Sequence, residues 1–325
     1  MLASLVVVAS CGFHPGKAAP DGGGVGDAPD APDAPDAPAL DATLDAPAPV
    51  DCWGRWHDHT VRFSAPQPLA TVNSTVFDRD PFVAPDELTL FVSSSRTMAL
   101  GSSDLWIATR TSTAVAFDTP TLLSTVSSTG GESKFSFTAN GLYGVVGSDR
   151  TGGKGAIDVW ETSRAAVGDP WGVPVQTHLG QVNTVDADHD PTISADGLHL
   201  YLAPTTGGQH LVVASRASLT ANFGAPVAIT ELDSGTGDAD PSVSADERVI
   251  VFSSNRTGAG ATGGNVWYAV RAGATDPFGT PMPVPDVNSN SADGDPHVSS
   301  DGCRLYFASD RTAGQDWDIF VASVQ

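Results

Sequence analysis

Basic residues are scarce in this chain. Lys and Arg number 16 against 38 Asp and Glu, a formal charge of −22 over 325 residues. Neutralising a phosphate backbone takes a surplus of cations, so nucleic-acid binding is excluded. Long apolar runs are missing too. No stretch reaches the roughly 18 residues that a membrane-spanning helix requires. Cysteine occurs only three times. The common catalytic signatures are also lacking: there is no Gly-x-Ser-x-Gly elbow, no His-Glu-x-x-His and no phosphate loop. The glycine-rich stretch 260–264 has no strand-to-helix context that would make it one. What is plentiful is turn chemistry. Gly (34) and Pro (24) together make up about 18% of the chain, against an average nearer 12%.

The acid is unevenly spread. Residues 12–51 carry eight Asp, no Glu and one Lys. Asp-Ala-Pro triplets run from Asp27 to Pro38 and return at Asp45. The segment has almost no large apolar side chain to bury, so folding could not repay the entropy of ordering it. Repeated Pro favours extended conformers, and the regular Asp charges repel one another. Residues 12–51 therefore read as a disordered, solvated Asp/Ala/Pro linker.

Ahead of it, Met1 to Ala9 is apolar, and Val8-Ala9-Ser10-Cys11 resembles the lipobox that ends a bacterial lipoprotein signal peptide. The resemblance implies a signal peptide over 1–11, lipidation at Cys11 and contact with the membrane through a lipid anchor only. Gly12, where an Asp would favour the inner membrane, points to the outer membrane, on its periplasmic or surface face. The chain departs from the pattern in having no Lys or Arg before the apolar stretch, and the stretch is short; either the start lies upstream of Met1 or the segment is not a signal.

The remainder, 52–325, repeats about every 54 residues. An aromatic residue followed at the third position by Pro recurs as Phe63-x-x-Pro66, Phe117-x-x-Pro120, Trp171-x-x-Pro174, Phe223-x-x-Pro226 and Phe278-x-x-Pro281. Between these lies Asp80-Pro81, Asp190-Pro191, Asp240-Pro241 and Asp295-Pro296, each leading into a Ser/Ala-rich turn and an alternating apolar strand. A degenerate copy begins at Glu132. A further apolar segment, such as Asp104-Leu105-Trp106 or Asp158-Val159-Trp160, closes each unit. Each unit thus offers four short strands bounded by turns. One flat sheet of such strands would expose long edges, whereas four-stranded blades arranged round an axis do not. The expected fold is all-β: a five-bladed β-propeller of four-stranded blades, the N-terminal strand completing the last blade. Cys52 and Cys303 fall on the two closing pieces, where a disulfide would staple the ring. By loop entropy it would contribute about 5 kcal/mol. Two free thiols are the alternative.

Asp-Pro-x-Val-Ser-x-Asp-Gly, followed by Ser-x-Arg and Asp-aliphatic-Trp, resembles the TolB-type, WD40-like Pro-Asp repeat across 63–325. The resemblance implies a propeller that serves as a binding scaffold, and it is weak for function because a fold does not fix one.

Arg96, Arg150, Arg256 and Arg311 precede third strands that begin with Asp104, Asp158, Asn265 and Asp318. The third unit lacks both its Arg and its acid. Intra-blade pairs Arg96–Asp104, Arg150–Asp158 and Arg311–Asp318 are therefore expected to hold turns. The repeated aromatic residues read as inter-blade core. By resemblance, the acids before Pro lead into the innermost strand beside the channel: Asp80, Asp190, Asp240 and Asp295, with Glu132 in that place in the second unit. Converging carboxylates need protons, hydrogen bonds or a cation. Two readings follow, a hard cation such as Ca²⁺ or acids that simply cap their own turns. His57-Asp58-His59 has a metal-like look but reads better as surface.

The chain is thus expected to be a non-enzymatic scaffold of the bacterial cell envelope, binding a protein, peptide or glycan. The alternative is a carbohydrate-active enzyme of the glycosidase type that uses its channel carboxylates.

Overall fold

A computed structural model describes residues 50–96, 100–258, 264–312 and 316–325. The expected signal peptide 1–11, with Cys11, lies outside the described residues, as does the linker up to residue 49. Five separate antiparallel sheets follow one another along the chain. Blade 1 comprises Asp78–Val83, Thr89–Ser94, Asp104–Thr109 and Thr121–Leu122. Blade 2 comprises Glu132–Phe137, Tyr143–Ser148 and Asp158–Ser163, its fourth strand reduced to the bridge between Glu161 and Val175. Blade 3 is Asp188–Ile193, His199–Pro204, Val212–Ser215 and Val227–Ala228. Blade 4 is Asp238–Val243, Val249–Ser254, Asn265–Val270 and Met282–Pro283. Blade 5 takes Asp293–Val298, Arg304–Ser309 and Asp318–Ser323 from the C-terminal end. Its outer strand is Gln67–Pro68, which pairs with Val321 and Phe320. The chain is therefore a five-bladed β-propeller of four-stranded blades in which the N-terminal strand closes the last blade. No helix among the described residues is long and apolar enough to cross a membrane.

The strands read as nearly continuous apolar runs because each blade is covered on both faces. Successive side chains point to opposite faces. Leu90 and Val92 pack with Tyr306, Ala308 and Ile319 of blade 5, while Phe91 between them packs with Phe135 and Phe137 of blade 2. The motif aromatics Phe63, Phe117, Trp171, Phe223 and Phe278 are all buried in these seams.

Two local devices set the inner strands. In each Asp-Pro copy the Asp is left-handed, with φ of 53° at Asp80, 58° at Asp190, 54° at Asp240 and 51° at Asp295. A bulge interrupts the ladder at this point in every blade. Asp tolerates that backbone better than most residues, and Pro, which has no N–H to donate, fits beside a broken ladder. At the far end of the strand, side chains such as Asp196, Asp246 and Asp301 accept the amide two residues on and fix the turn.

An element absent from the sequence reading is the helix Cys52–His57, capped by Asp51, which accepts from the Gly54 amide at 2.9 Å. Its Trp56 fills the seam between blades 4 and 5, against Phe63 and Tyr268, and donates to Gly302 O at 2.9 Å. Cys52 is bonded to Cys303, with a Cα separation of 5.2 Å across 251 residues of sequence.

Candidate functional site

Each inner strand begins with an acid and carries a second charged residue two positions later. The first acids are Asp78, Glu132, Asp188, Asp238 and Asp293. Each accepts from the backbone amide four residues before it, at 2.5 to 2.9 Å. Four of them also meet an arginine. Arg96 pairs with Asp78, Arg150 with Glu132 at 3.1 Å, Arg256 with Asp238 at 2.8 Å and Arg311 with Asp293. Each arginine also donates to a backbone carbonyl 24 residues before it. Blade 3 has no such arginine. There burial pushes Asp188 up to about 6, against the hydrogen bonds from Thr184.

The second positions hold Asp80, Lys134, Asp190, Asp240 and Asp295, all buried. One oxygen each from Asp80, Asp190 and Asp240 lie within 4.8 Å of one another. Ser93 donates to Asp80 at 2.5 Å. Asp295 accepts a two-pronged contact from Arg79, at 2.7 and 3.1 Å, and the guanidinium lies 4.3 Å over the Trp317 ring. Lys134 is buried, and its Nζ meets no hydrogen-bond partner among the described residues.

Burial and crowding divide these acids. Burial, then the charges of Asp240 and Asp80, push Asp190 well above the carboxylate range. Burial raises Asp295 to about 7 despite Arg79. Burial acts on Asp240 in the same sense, but Lys134 and Arg79 together hold it below its ordinary value. His189 is pulled down by burial, and His297, three positions further along its own strand, falls to about 3 through burial and Lys134. Above the acids opens a cavity of about 670 Å³, walled by Phe77, Trp317, Ile157 and His189.

No family model matches the sequence, and no curated protein matches it. Solved structures do share the fold. The catalytic domain of a GH62 α-L-arabinofuranosidase from Coprinopsis cinerea aligns with a TM-score of 0.55 at 13% identity, covering 82% of this chain and 97% of that one. An α-L-arabinofuranosidase from Podospora anserina, in complex with cellotriose, gives 0.52 at 15%, covering 80% and 95%. TolB from Acinetobacter baumannii gives 0.47 at 14%, covering 78% of this chain and 56% of that one. At such identities the likeness concerns the fold, and the chemistry has to come from the residues.

Against the sequence reading, Asp80, Asp190, Asp240 and Asp295 do converge. Glu132 does not join them: it is a first acid, held by Ser128, Ser148 and Arg150. Lys134 takes the inner place in blade 2. The expected pairs Arg96–Asp104, Arg150–Asp158 and Arg311–Asp318 are also corrected, because the guanidinium reaches back to the first acid of its own blade. Asp104 instead accepts from the Gly101 amide at 2.9 Å, and Asp158 from Lys154 and Gly155 at 2.7 and 3.1 Å. Asp318 is buried, which raises its pKa. His57 and His59 diverge, one towards Asp246 and the other towards the Tyr268 hydroxyl. Lys134, Arg79 and Trp317 were missed. Lys134 was findable, since it follows Glu132 at the spacing that separates the paired Asp elsewhere; Arg79 and Trp317 carry no repeat signal.

The oxygen donors of Asp80, Asp190 and Asp240 suit a hard cation in kind and spacing. The Lys134 ammonium competes for the same carboxylates.

Proposed function

We propose that this propeller is a non-enzymatic binding scaffold of the bacterial cell envelope, lipid-anchored through Cys11, with the acidic cavity as its ligand-facing end. Its partner is an envelope protein, peptide or glycan. The observation that carries this reading is the crowding of Asp80, Asp190 and Asp240. Inverting glycosidases space their two carboxyl groups about 6.5–9.5 Å apart to admit a water, and retaining ones about 5–5.5 Å. Oxygens within 4.8 Å of one another leave no room for that water and are closer than the retaining spacing. In this reading the three acids also hold Ca²⁺ or a similar hard cation.

One observation favours a second reading. Asp190 is pushed up and Asp240 down, which is the division of labour between a general acid and a general base. The glycosidase alternative therefore has a definite pair. A panel of arabinans, xylans and bacterial glycans, assayed for reducing-end release, separates the two. The scaffold reading expects no turnover by the wild-type chain. Turnover that disappears in Asp190→Asn would establish the hydrolase instead.

A further inference from the structure

The propeller has five seams between neighbouring blades, and four are sealed by side chains of known kind. Three share one arrangement. An arginine just beyond the third strand stacks on the motif aromatic: Arg110 on Phe117 at 4.2 Å, Arg216 on Phe223 and Arg271 on Phe278 at 4.3 Å. Its Nε donates to a turn carbonyl at 2.7 Å in each case. Another guanidinium nitrogen donates to a tyrosine hydroxyl of the preceding blade, Tyr306 at 3.3 Å, Tyr143 at 3.4 Å and Tyr201 at 3.2 Å. That hydroxyl donates in turn to a glutamate: Glu87 at 3.1 Å, Glu161 at 2.6 Å and Glu247 at 2.5 Å. The seam between blades 4 and 5 has Val324 where the arginine would be and is filled by Trp56.

The seam between blades 1 and 2 begins the same arrangement and does not finish it. Arg164 stacks on Trp171 at 4.3 Å, and its Nε donates to Gly141 O at 2.6 Å. The phenol and the carboxylate are missing. Thr89 and Phe91 occupy the strand positions that hold His199 and Tyr201 in blade 3 and Arg304 and Tyr306 in blade 5. Gly141 stands where Glu87 and Glu247 stand in their turns. Among the described residues no carboxylate lies within ion-pair distance of Arg164; Asp169 acts on it only from further away. What the other seams fill is here a cavity of about 470 Å³, walled by Phe91, Ile107, Leu123, Phe137 and Trp171, with Arg164 and Asp169 also lining it.

We propose that this cavity binds a small hydroxylated aromatic carboxylate, its ring among the aromatic walls and its carboxylate on Arg164. The sister seams state the chemistry. In the sister seams the space beside the same stacked guanidinium takes a phenolic oxygen and a carboxylate; here Phe91 holds the ring without the oxygen, and the aromatic walls are left open to a ligand's ring. A half-buried guanidinium with no carboxylate in contact, and only the more distant Asp169 acting on it, gains most from an acidic oxygen in a fixed, bidentate position. The volume lies within the range of small-molecule sites, about 300–1,000 Å³.

The test uses the disulfide-intact chain and 3-(4-hydroxyphenyl)propionate as the probe, measured by titration calorimetry. Saturable one-to-one binding is expected. Arg164→Met, and replacement of the probe by 4-ethylphenol, which lacks the carboxylate, should each weaken binding by about tenfold or more. Phe91→Tyr supplies the missing phenol from the protein, so it should raise the melting temperature and block the probe. The absence of saturable binding to the wild-type chain would overturn the proposal. So would equal affinity for 4-ethylphenol, or undiminished binding in Phe91→Tyr, and both of these readouts stand even if Arg164→Met fails to fold.

Discussion

Two rings of charge lie two residues apart on the same five strands, and they are built on opposite terms. In the outer ring every carboxylate is fully engaged, by a backbone amide and, in four blades, by a guanidinium. In the inner ring the carboxylates face one another, so burial and mutual repulsion push Asp190 and Asp295 towards the protonated form. Repetition alone therefore does not separate a structural acid from a poised one. The partner does. Blade 3 makes the point from within the outer ring, since Asp188, the one first acid without an arginine, behaves like an inner-ring acid and rises to about 6.

The sharpest way to break this comparison is to strand an arginine. Asp238→Ala leaves the half-buried Arg256 without its acid, and a loss of about 3 kcal/mol in urea unfolding is expected. Asp188→Ala strands no guanidinium and should lose only about 1–3 kcal/mol. Equal losses would mean that the arginines do not hold the outer ring. A pH series comes next. A carboxyl whose folded pKa is raised stabilises the fold when protonated; that contribution is complete below about pH 4 and is lost as pH rises through the folded value. Asp188 should therefore make wild-type stability fall between about pH 4 and about pH 6. Asp188→Asn should remove its share of that slope, so the difference between the two chains isolates it from Asp190 and Asp295, which act in the same sense, and from the histidines, which act in the opposite one. The smallest effect concerns the inner ring. If Lys134 competes with a cation, Lys134→Met should enlarge the rise in melting temperature that calcium gives over EDTA. A site filled a hundredfold over its dissociation constant adds about 2.7 kcal/mol. Identical melting in calcium and EDTA for both chains would leave the acids without a cation role.

The blades were legible because the repeat is carried by residues that each solve a local problem: Pro after a left-handed Asp, an acid at an Asx turn, an aromatic in each seam. Pairing across a blade was less legible. Arg and third-strand acid vanish together in unit 3, which suggested that they pair, yet Asp188 stays behind with no arginine. Glu132 was misassigned because unit 2 has no Pro to mark the bulge, and without that marker the acid and Lys134 exchange places. The seam arginines left a signal that was there to be used: Arg110, Arg164, Arg216 and Arg271 each precede their motif aromatic by the same interval. The helix Cys52–His57 gave no such warning, because six residues show too little periodicity to be told from a strand approach.

The bond between Cys52 and Cys303 also governs how the molecule bears a load. A pull applied between the chain before Cys52 and Gln325 passes through the sulfurs directly into the last blade. Blades 1 to 4 lie inside the covalent loop and are bypassed. Stretching the oxidised protein by its ends should therefore release only the segment beyond Cys303, with the rest of the ring still folded, whereas reduction would expose all five blades to the same force.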